Sequence, residues 1–239
     1  MDTIAGVHPV LEALRAGRPL DRILIARGAS HFRVREILAA ARERGIPVRF
    51  EPREALDRAA SGAPHQGVVA VGAAHRYADL EEIVEGAELL VALDGVEDPH
   101  NLGAIVRTAH AAGASGVIVP ARRAAGLTET AAKAASGALE YLPVARVTNL
   151  NRALDQLKQR GFRVYGLDER GSEVYCRIEW RQPAVIVLGG EGRGLRQHTR
   201  ARCDSLVRIP VVGPIASLNV SVAAGIVLFE WKRQRDEQR

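Results

Sequence analysis

The sequence predicts an α/β protein in two parts: a small unit over residues 1–72 and a larger one over 89–239, joined by a linker at 73–88. Three observations predict it. Short apolar runs alternate with stretches whose apolar residues fall three and four apart, the mark of strands alternating with helices. In the larger part these runs form a series with helical patterns among them, which argues a mostly parallel sheet flanked by helices. Two of the runs, 185–188 and 206–212, each empty into a glycine-rich loop, the place where open α/β sheets put their ligands.

In the small unit, residues 9–16 read as a short helix and 22–26 as a strand. The stretch 33–44 sets Val34, Ile37, Leu38 and Ala41 at helical spacing, and Gly45 stops it, as glycine does just past a helix end. A strand at 48–50, a helix at 53–60 and a strand at 67–71 follow. The linker carries one short helix, at 79–84.

The larger part opens with a strand at 89–93 and a turn-rich loop at 94–100. The next helix buries Leu102, Ile105, Val106, Ala109 and Ala112 on one face and leaves Arg107 off that face. Asp98 or Asn101 can cap it, and Pro99 suits a helix entry. A strand at 116–119, a short helix at 128–135, a strand at 143–147, a helix at 151–160 and a strand at 162–167 precede the two glycine-loop strands. A long helix over 218–233, with Ser217 placed to cap it, closes the chain.

The formal charge is +5, and all but Lys133, Lys158 and Lys232 of the 33 basic residues are arginine. Arginine grips phosphate through a planar fork and stacks on bases, so a polyanionic partner fits; a solubilising surface accounts for the charge equally well. In the small unit Arg18, Arg22, Arg27, His31, Arg33, Arg35 and His65 fall in or near loops, as an RNA-gripping face or a solvated surface. Cys176 and Cys203 have no metal spacing and form no disulfide framework. No apolar run approaches the ~20 residues of a membrane span, and the N-terminus lacks a secretory pattern, so the cytosol is the expected compartment.

The loop Gly189-Gly190-Glu191-Gly192-Arg193-Gly194 fits neither common nucleotide fingerprint. A Walker loop ends in Gly-Lys-Ser/Thr, and a dinucleotide loop spaces its glycines G-x-G-x-x-G. Its glycines still let backbone approach a ligand, or simply serve a tight turn. Polar residues at three strand ends address the same region: Asn101 and Arg107, then Glu191, then Ser217 and Asn219. Each has a plainer reading, as a helix cap for Asn101 and Ser217, a turn brace for Glu191 and a surface residue for Arg107. Together, beside glycines, they favour a site.

The stretch LDGVEDPHNLGAIVRTAHAAGASGVIV (93–119) resembles the first motif of the SpoU (TrmH-like) RNA ribose 2′-O-methyltransferases of the SPOUT superfamily. VIVLGGEGRGL (185–195) is similar to the second motif, RIPVVGPIASLNVSVAAGIVLFEW (208–231) to the third, and residues 135–140 to a further family loop. IAGVHPVLEAL (4–14) and HQGVVAV (65–71) resemble the RNA-binding domain of the 23S rRNA guanosine 2′-O-methyltransferase branch, a domain similar to ribosomal protein L30e.

The resemblance implies S-adenosyl-L-methionine as cofactor, a deep trefoil knot, a homodimer, RNA as partner and no metal. It implies that Gly189, Ile209 and Leu218 hold the cofactor, with Gly190, Gly192 and Asn219 shaping the same pocket. It makes Asn101, Arg107, Glu191, Ser217 and Asn219 the catalytic candidates, with Arg107 at the reacting hydroxyl. A homodimer also draws on the last helix, where Val220, Ala223, Ala224, Val227 and Trp231 extend an apolar surface that already has Val222, Ile226 and Phe229. The leading expectation is a 23S rRNA guanosine enzyme. A tRNA guanosine enzyme, a non-catalytic RNA-binding assembly factor and a nicotinamide dehydrogenase are the alternatives, the last disfavoured by the failed fingerprint.

Overall fold

A computed structural model of the chain describes residues 3–29, 33–72, 75–180, 183–192, 194–212 and 217–237. The backbone divides into two compact units, the first running to Arg76 and taking in Gly126–Glu129, the second holding Tyr77–Ala125 and Thr130 onward.

The first unit contains β1 (Thr3–Ala5), α1 (Val7–Arg15), β2 (Leu20–Ala26), α2 (Val34–Glu43), β3 (Val48–Glu51), α3 (Arg53–Ala59) and β4 (Val68–Gly72). Its strands form one sheet in the order β1-β4-β2-β3, with β2 and β3 parallel and β4 antiparallel to both neighbours. Side chains alternate across the central strand. Ile23 and Ile25 join Val10, Leu14 and Ile37 in one buried cluster, while Leu24 and Ala26 join Leu56 and Val69 in another. β1 escapes the sequence pattern because it has three residues; Gly6, at φ 108°, turns the chain from it into α1.

His65 is buried, which removes it from any RNA-gripping surface of this unit. Its Nδ1 accepts from the Gly67 amide at 3.0 Å, so Nε2 carries the proton and donates to Asp57 Oδ1 at 2.9 Å. His31 lies outside the described residues.

The second unit contains α4 (Leu80–Val84), β5 (Leu89–Asp94), α5 (Pro99–Ala112), β6 (Gly116–Pro120), α6 (Glu129–Ala135), β7 (Val144–Val147), α7 (Leu150–Gln159), β8 (Arg163–Leu167), β9 (Glu173–Val174), β10 (Ala184–Gly189), α8 (Gln197–Arg200), β11 (Ser205–Arg208) and α9 (Val220–Asp236). The strands form a seven-stranded sheet, β7-β6-β5-β10-β8-β11-β9, parallel at every named pair. All six residues of β5 are buried, as a central parallel strand requires. The chain leaves β5 for β6 on one side and leaves β10 for β11 on the other. Their shared border is therefore a topological switch point, with a crevice outside the strand C-termini.

Four expectations change here. From Tyr77 onward the expected linker belongs to the second unit: Ala78 bridges Ala145, and Ile83, Val84 and Ala87 are in its core. The apolar run 206–212 is strand only to Arg208, because Pro210 has no N–H for a ladder; Val212 is 99% exposed. The last helix is capped by Asn219 and not by Ser217: Asn219 Oδ1 accepts from the Ser221 amide at 2.8 Å and the Val222 amide at 3.4 Å. Val220, Ala223, Ala224, Val227 and Trp231 are buried within their own chain, leaving Val222 and Phe229 as the exposed apolar residues of α9. The glycine-loop positions 213–216 lie outside the described residues. No helix of the described residues is long and apolar enough to cross a membrane.

Candidate active site

The crevice is built from the ends of β5, β8 and β10. In register, Gly189 sits beside Asp94, and the Gly190 amide donates to the Asp94 carbonyl at 2.9 Å. The chain then closes a tight loop, with the Gly194 amide donating to the Gly190 carbonyl at 3.0 Å. Two positions demand glycine by contact. A Cβ on Gly189 would overlap the Gly194–Leu195 peptide, and one on Gly190 would overlap the Gly95 carbonyl. Gly192 and Gly194 demand it by conformation, at φ 74° and 61°.

A cavity of about 330 Å³ opens against this loop. Gly189, Gly190 and Gly192 line it, with Leu188, Ile209 and Leu218 as apolar wall and Ser217 at its rim. A second cavity, of about 690 Å³, shares Gly190 and Gly194 with the first and is lined by Asn101 and Glu191.

Three of the sequence-predicted polar residues, Asn101, Glu191 and Asn219, meet beside the second cavity, which the first two line. Asp98 caps α5 by accepting from the His100 amide at 2.9 Å, which frees Asn101 from any capping duty. Asn101 is buried on the first turn of α5, and its Nδ2 donates to Glu191 Oε1 at 2.5 Å. Asn219 Nδ2 donates to Asn101 Oδ1 at 3.0 Å and to Glu191 Oε1 at 3.2 Å. The capping role of Asn219 Oδ1 fixes which end of that amide faces the site. That in turn fixes Asn101, so the chain of donors ends on the Glu191 carboxylate, which only accepts.

Arg107 is exposed on α5, and it lines neither cavity. Its Nη1 donates to Ser136 Oγ at 3.3 Å, in a loop where Ser136 and Gly137 both take left-handed backbone, at φ 47° and 87°.

Sequence reasoning missed two buried carboxylates. Asp94, the last residue of β5, accepts from the Arg196 amide at 2.9 Å and pairs with the Arg196 guanidinium at 3.4 Å. Asp168, just past β8, accepts from the Arg170 amide at 2.9 Å and pairs with Arg200 at 2.6 Å. Both arginines come from the segment around α8, so two buried carboxylates, each paired with a part-exposed guanidinium, tie that segment to the ends of β5 and β8. An acidic residue directly after an apolar strand was the available signal. Among the described residues, no cluster of histidine, cysteine or carboxylate side chains could hold a metal ion.

The chain matches two family models: the SpoU rRNA Methylase family over residues 88–229, and RNA 2′-O ribose methyltransferase substrate binding over residues 3–78. It is 41% identical over 241 residues to a Bacillus subtilis protein named as a TrmH family tRNA/rRNA methyltransferase, YacO, covering 98% of this chain and 96% of that one. Among solved structures it resembles the SpoU methyltransferase AviRb from Streptomyces viridochromogenes in complex with the cofactor AdoMet, at 30% identity, TM-score 0.65, and coverage of 98% of this chain and 90% of that one. The A. aeolicus TrmH/SpoU tRNA modifying enzyme is 32% identical with a TM-score of 0.58, and covers 66% of this chain and 82% of its own. The chain belongs to the SpoU methylase family of RNA methyltransferases.

Proposed function

We propose that this protein transfers the methyl group of S-adenosyl-L-methionine to a ribose 2′-hydroxyl of RNA, with a guanosine of 23S rRNA as acceptor. The observation that carries the reading is the Asn219–Asn101–Glu191 hydrogen-bonded set beside a polar cavity that shares Gly190 and Gly194 with a glycine-lined one. The glycine-lined cavity fits the cofactor. At about 330 Å³ it lies within the ~300–1,000 Å³ of small-molecule sites. Its apolar wall suits adenine, and two glycines that admit no Cβ bring backbone groups close. Gly189, Gly190, Gly192, Ile209 and Leu218 would hold the molecule, with Ser217 and Asn219 ordering the pocket edge. When bound, it supplies an electrophilic methyl group on a sulfonium.

The chain must then align the ribose oxygen and dispose of one proton. Asn101, locked at both ends of its amide, orients the ribose. Glu191 receives both amide donors on Oε1, which leaves Oε2 to take the hydroxyl proton directly or through water. Arg107 is no base, since a guanidinium stays protonated far above neutral pH. It stabilises the developing alkoxide or holds a phosphate. Because it lines neither cavity of its own subunit, it serves the site across a homodimer, to which α9 presents Val222 and Phe229. A monomer mass in sedimentation at micromolar concentration counts against that assembly.

The same reading takes the second unit as a deep trefoil knot and the first as an L30e-like RNA grip. The placement of β10 between β5 and β8 supports the former, and the substrate-binding model over 3–78 the latter. The rRNA acceptor is favoured because the tRNA modifying enzyme covers 66% of this chain, a share with no room for the whole of both units. A tRNA acceptor is the second reading, since the B. subtilis relative is named for both. Nucleoside mass spectrometry of fractionated RNA from a strain lacking the protein tests this. Loss of one 2′-O-methylguanosine from 23S rRNA is the expected result. Loss from tRNA supports the second reading, and no loss from either overturns both.

A further inference from the structure

The second cavity carries four carboxylates and two arginines on its lining, and most of them are already engaged. Asp94 pairs with Arg196, Asp98 caps α5, and Glu191 takes the two asparagine amides. Glu97 and Arg123 are different: both face the cavity, and neither makes a hydrogen bond or ion pair among the described residues. Arg123 also sits at φ 57°, a left-handed backbone that non-glycine residues seldom adopt and that persists only where the surroundings impose it. One such constraint is close by, where the Ala125 amide donates to the Val96 carbonyl at 2.8 Å and pins the 121–125 loop to the loop after β5. Opposite charges without a protein partner, both exposed to solvent on one cavity and one of them on a left-handed backbone, suit a ligand that carries both an anionic group and hydrogen-bond donors.

We infer that this cavity receives the acceptor nucleotide, with Arg123 contacting its phosphate and Glu97 its base. The inference rests on the methyl-transfer reading and deepens it. The two cavities share Gly190 and Gly194, so a nucleotide in the larger one lies beside the cofactor pocket, with its ribose toward Asn101 and Glu191. A guanidinium fork matches two phosphate oxygens. A carboxylate only accepts, so it selects a base edge with adjacent donors. Guanine, with its ring N1–H beside the exocyclic amine, offers such a pair; uracil, adenine and cytosine do not.

The test uses the full-length protein, saturating S-adenosyl-L-methionine and total RNA from a strain lacking the protein. Initial rates are measured against RNA concentration, with cofactor calorimetry on each variant as a check on the fold. Arg123→Ala should raise the KM for RNA roughly tenfold, leave kcat within about twofold, and lower the salt dependence of RNA binding by about one counterion. Glu97→Gln presents one acceptor and one donor in place of two acceptors. It should lower kcat/KM roughly tenfold and spread the methyl group onto other nucleosides in the digested product. Cofactor affinity should be unchanged in both. Arg123→Ala with wild-type KM and salt slope, or Glu97→Gln with wild-type kcat/KM and product, overturns the inference while methyl transfer by the wild type still stands. A wild-type protein that transfers no methyl group overturns both.

Discussion

Asn219 and Asn101, 118 positions apart in sequence, are joined amide to amide at 3.0 Å. One end of Asn219 caps α9, the other reaches the first turn of α5, and both amides converge on Glu191 Oε1. A backbone requirement, the satisfaction of orphan amides at a helix start, thereby orients the polar groups of the site.

Two substitutions separate those roles. Asn219→Asp keeps the capping oxygen but puts a carboxylate against Glu191. It should lower kcat by at least an order of magnitude. Asn219→Ala loses both functions and should also cost about 1 kcal/mol of stability. Wild-type activity in Asn219→Asp would show that Asn219 matters only as a cap.

Arg107→Ala should lower kcat ~100-fold or more, the scale of one preorganised donor. Cofactor affinity should be unchanged, because Arg107 lines neither cavity. Arg107→Lys keeps the charge without the fork and should recover part of the loss. Single-turnover methylation with saturating RNA, paired with cofactor calorimetry, reads this out. Near-normal turnover in Arg107→Ala removes the residue from the mechanism.

Gly190→Ala should damage cofactor binding far more than a surface Gly→Ala change. Its Cβ would overlap the Gly95 carbonyl, so either the glycine loop or the loop after β5 must move. Overpacking of this kind costs roughly 1–3 kcal/mol, and the part that falls on the pocket should weaken S-adenosyl-L-methionine binding about tenfold. Calorimetry giving wild-type affinity would place the cofactor elsewhere.

Burial pushes the Cys203 thiol up to about 12, and the neighbouring Asp204 adds to the effect. Its thiolate is disfavoured in the folded protein, so maleimide or iodoacetamide at pH 8 should modify exposed Cys176 well before Cys203. The sign for stability follows. The unfolded chain deprotonates this thiol near pH 9, while the folded chain keeps its proton until about 12, so stability should fall as pH rises through that window. Cys203→Ala should flatten the fall, and an unchanged alkaline slope in that variant would exclude Cys203 as its source.

Much of this was legible in the sequence because the informative residues are local. The strands of the larger unit are apolar runs bounded by glycine or acid, and β5, β6, β8 and β10 lie within a residue or two of where the pattern puts them. Asn101, Glu191 and Asn219 fall at strand or helix ends, and the structure brings those three together. Illegible were features set by long-range partners or by very short elements. β1 and β9 are too short to show a period. The arginines of Asp94 and Asp168 come from a distant segment. Apolar Val211 and Val212 suggested a longer strand, since composition does not register that Pro210 ends the ladder. The apolar face of α9 is consumed within its own unit, which no single-helix pattern reveals.

The central claim is methyl transfer from S-adenosyl-L-methionine to a ribose hydroxyl of RNA at the Asn101–Glu191–Asn219 junction. The most direct measurement incubates the purified protein with methyl-labelled S-adenosyl-L-methionine and total RNA from a strain lacking the protein, then digests the RNA and identifies the labelled nucleoside by mass spectrometry. One labelled 2′-O-methylated nucleoside, guanosine in 23S rRNA, should be formed by the wild type and lost or greatly reduced in Asn101→Ala. Label on a base, or an Asn101→Ala rate equal to wild type, would contradict it.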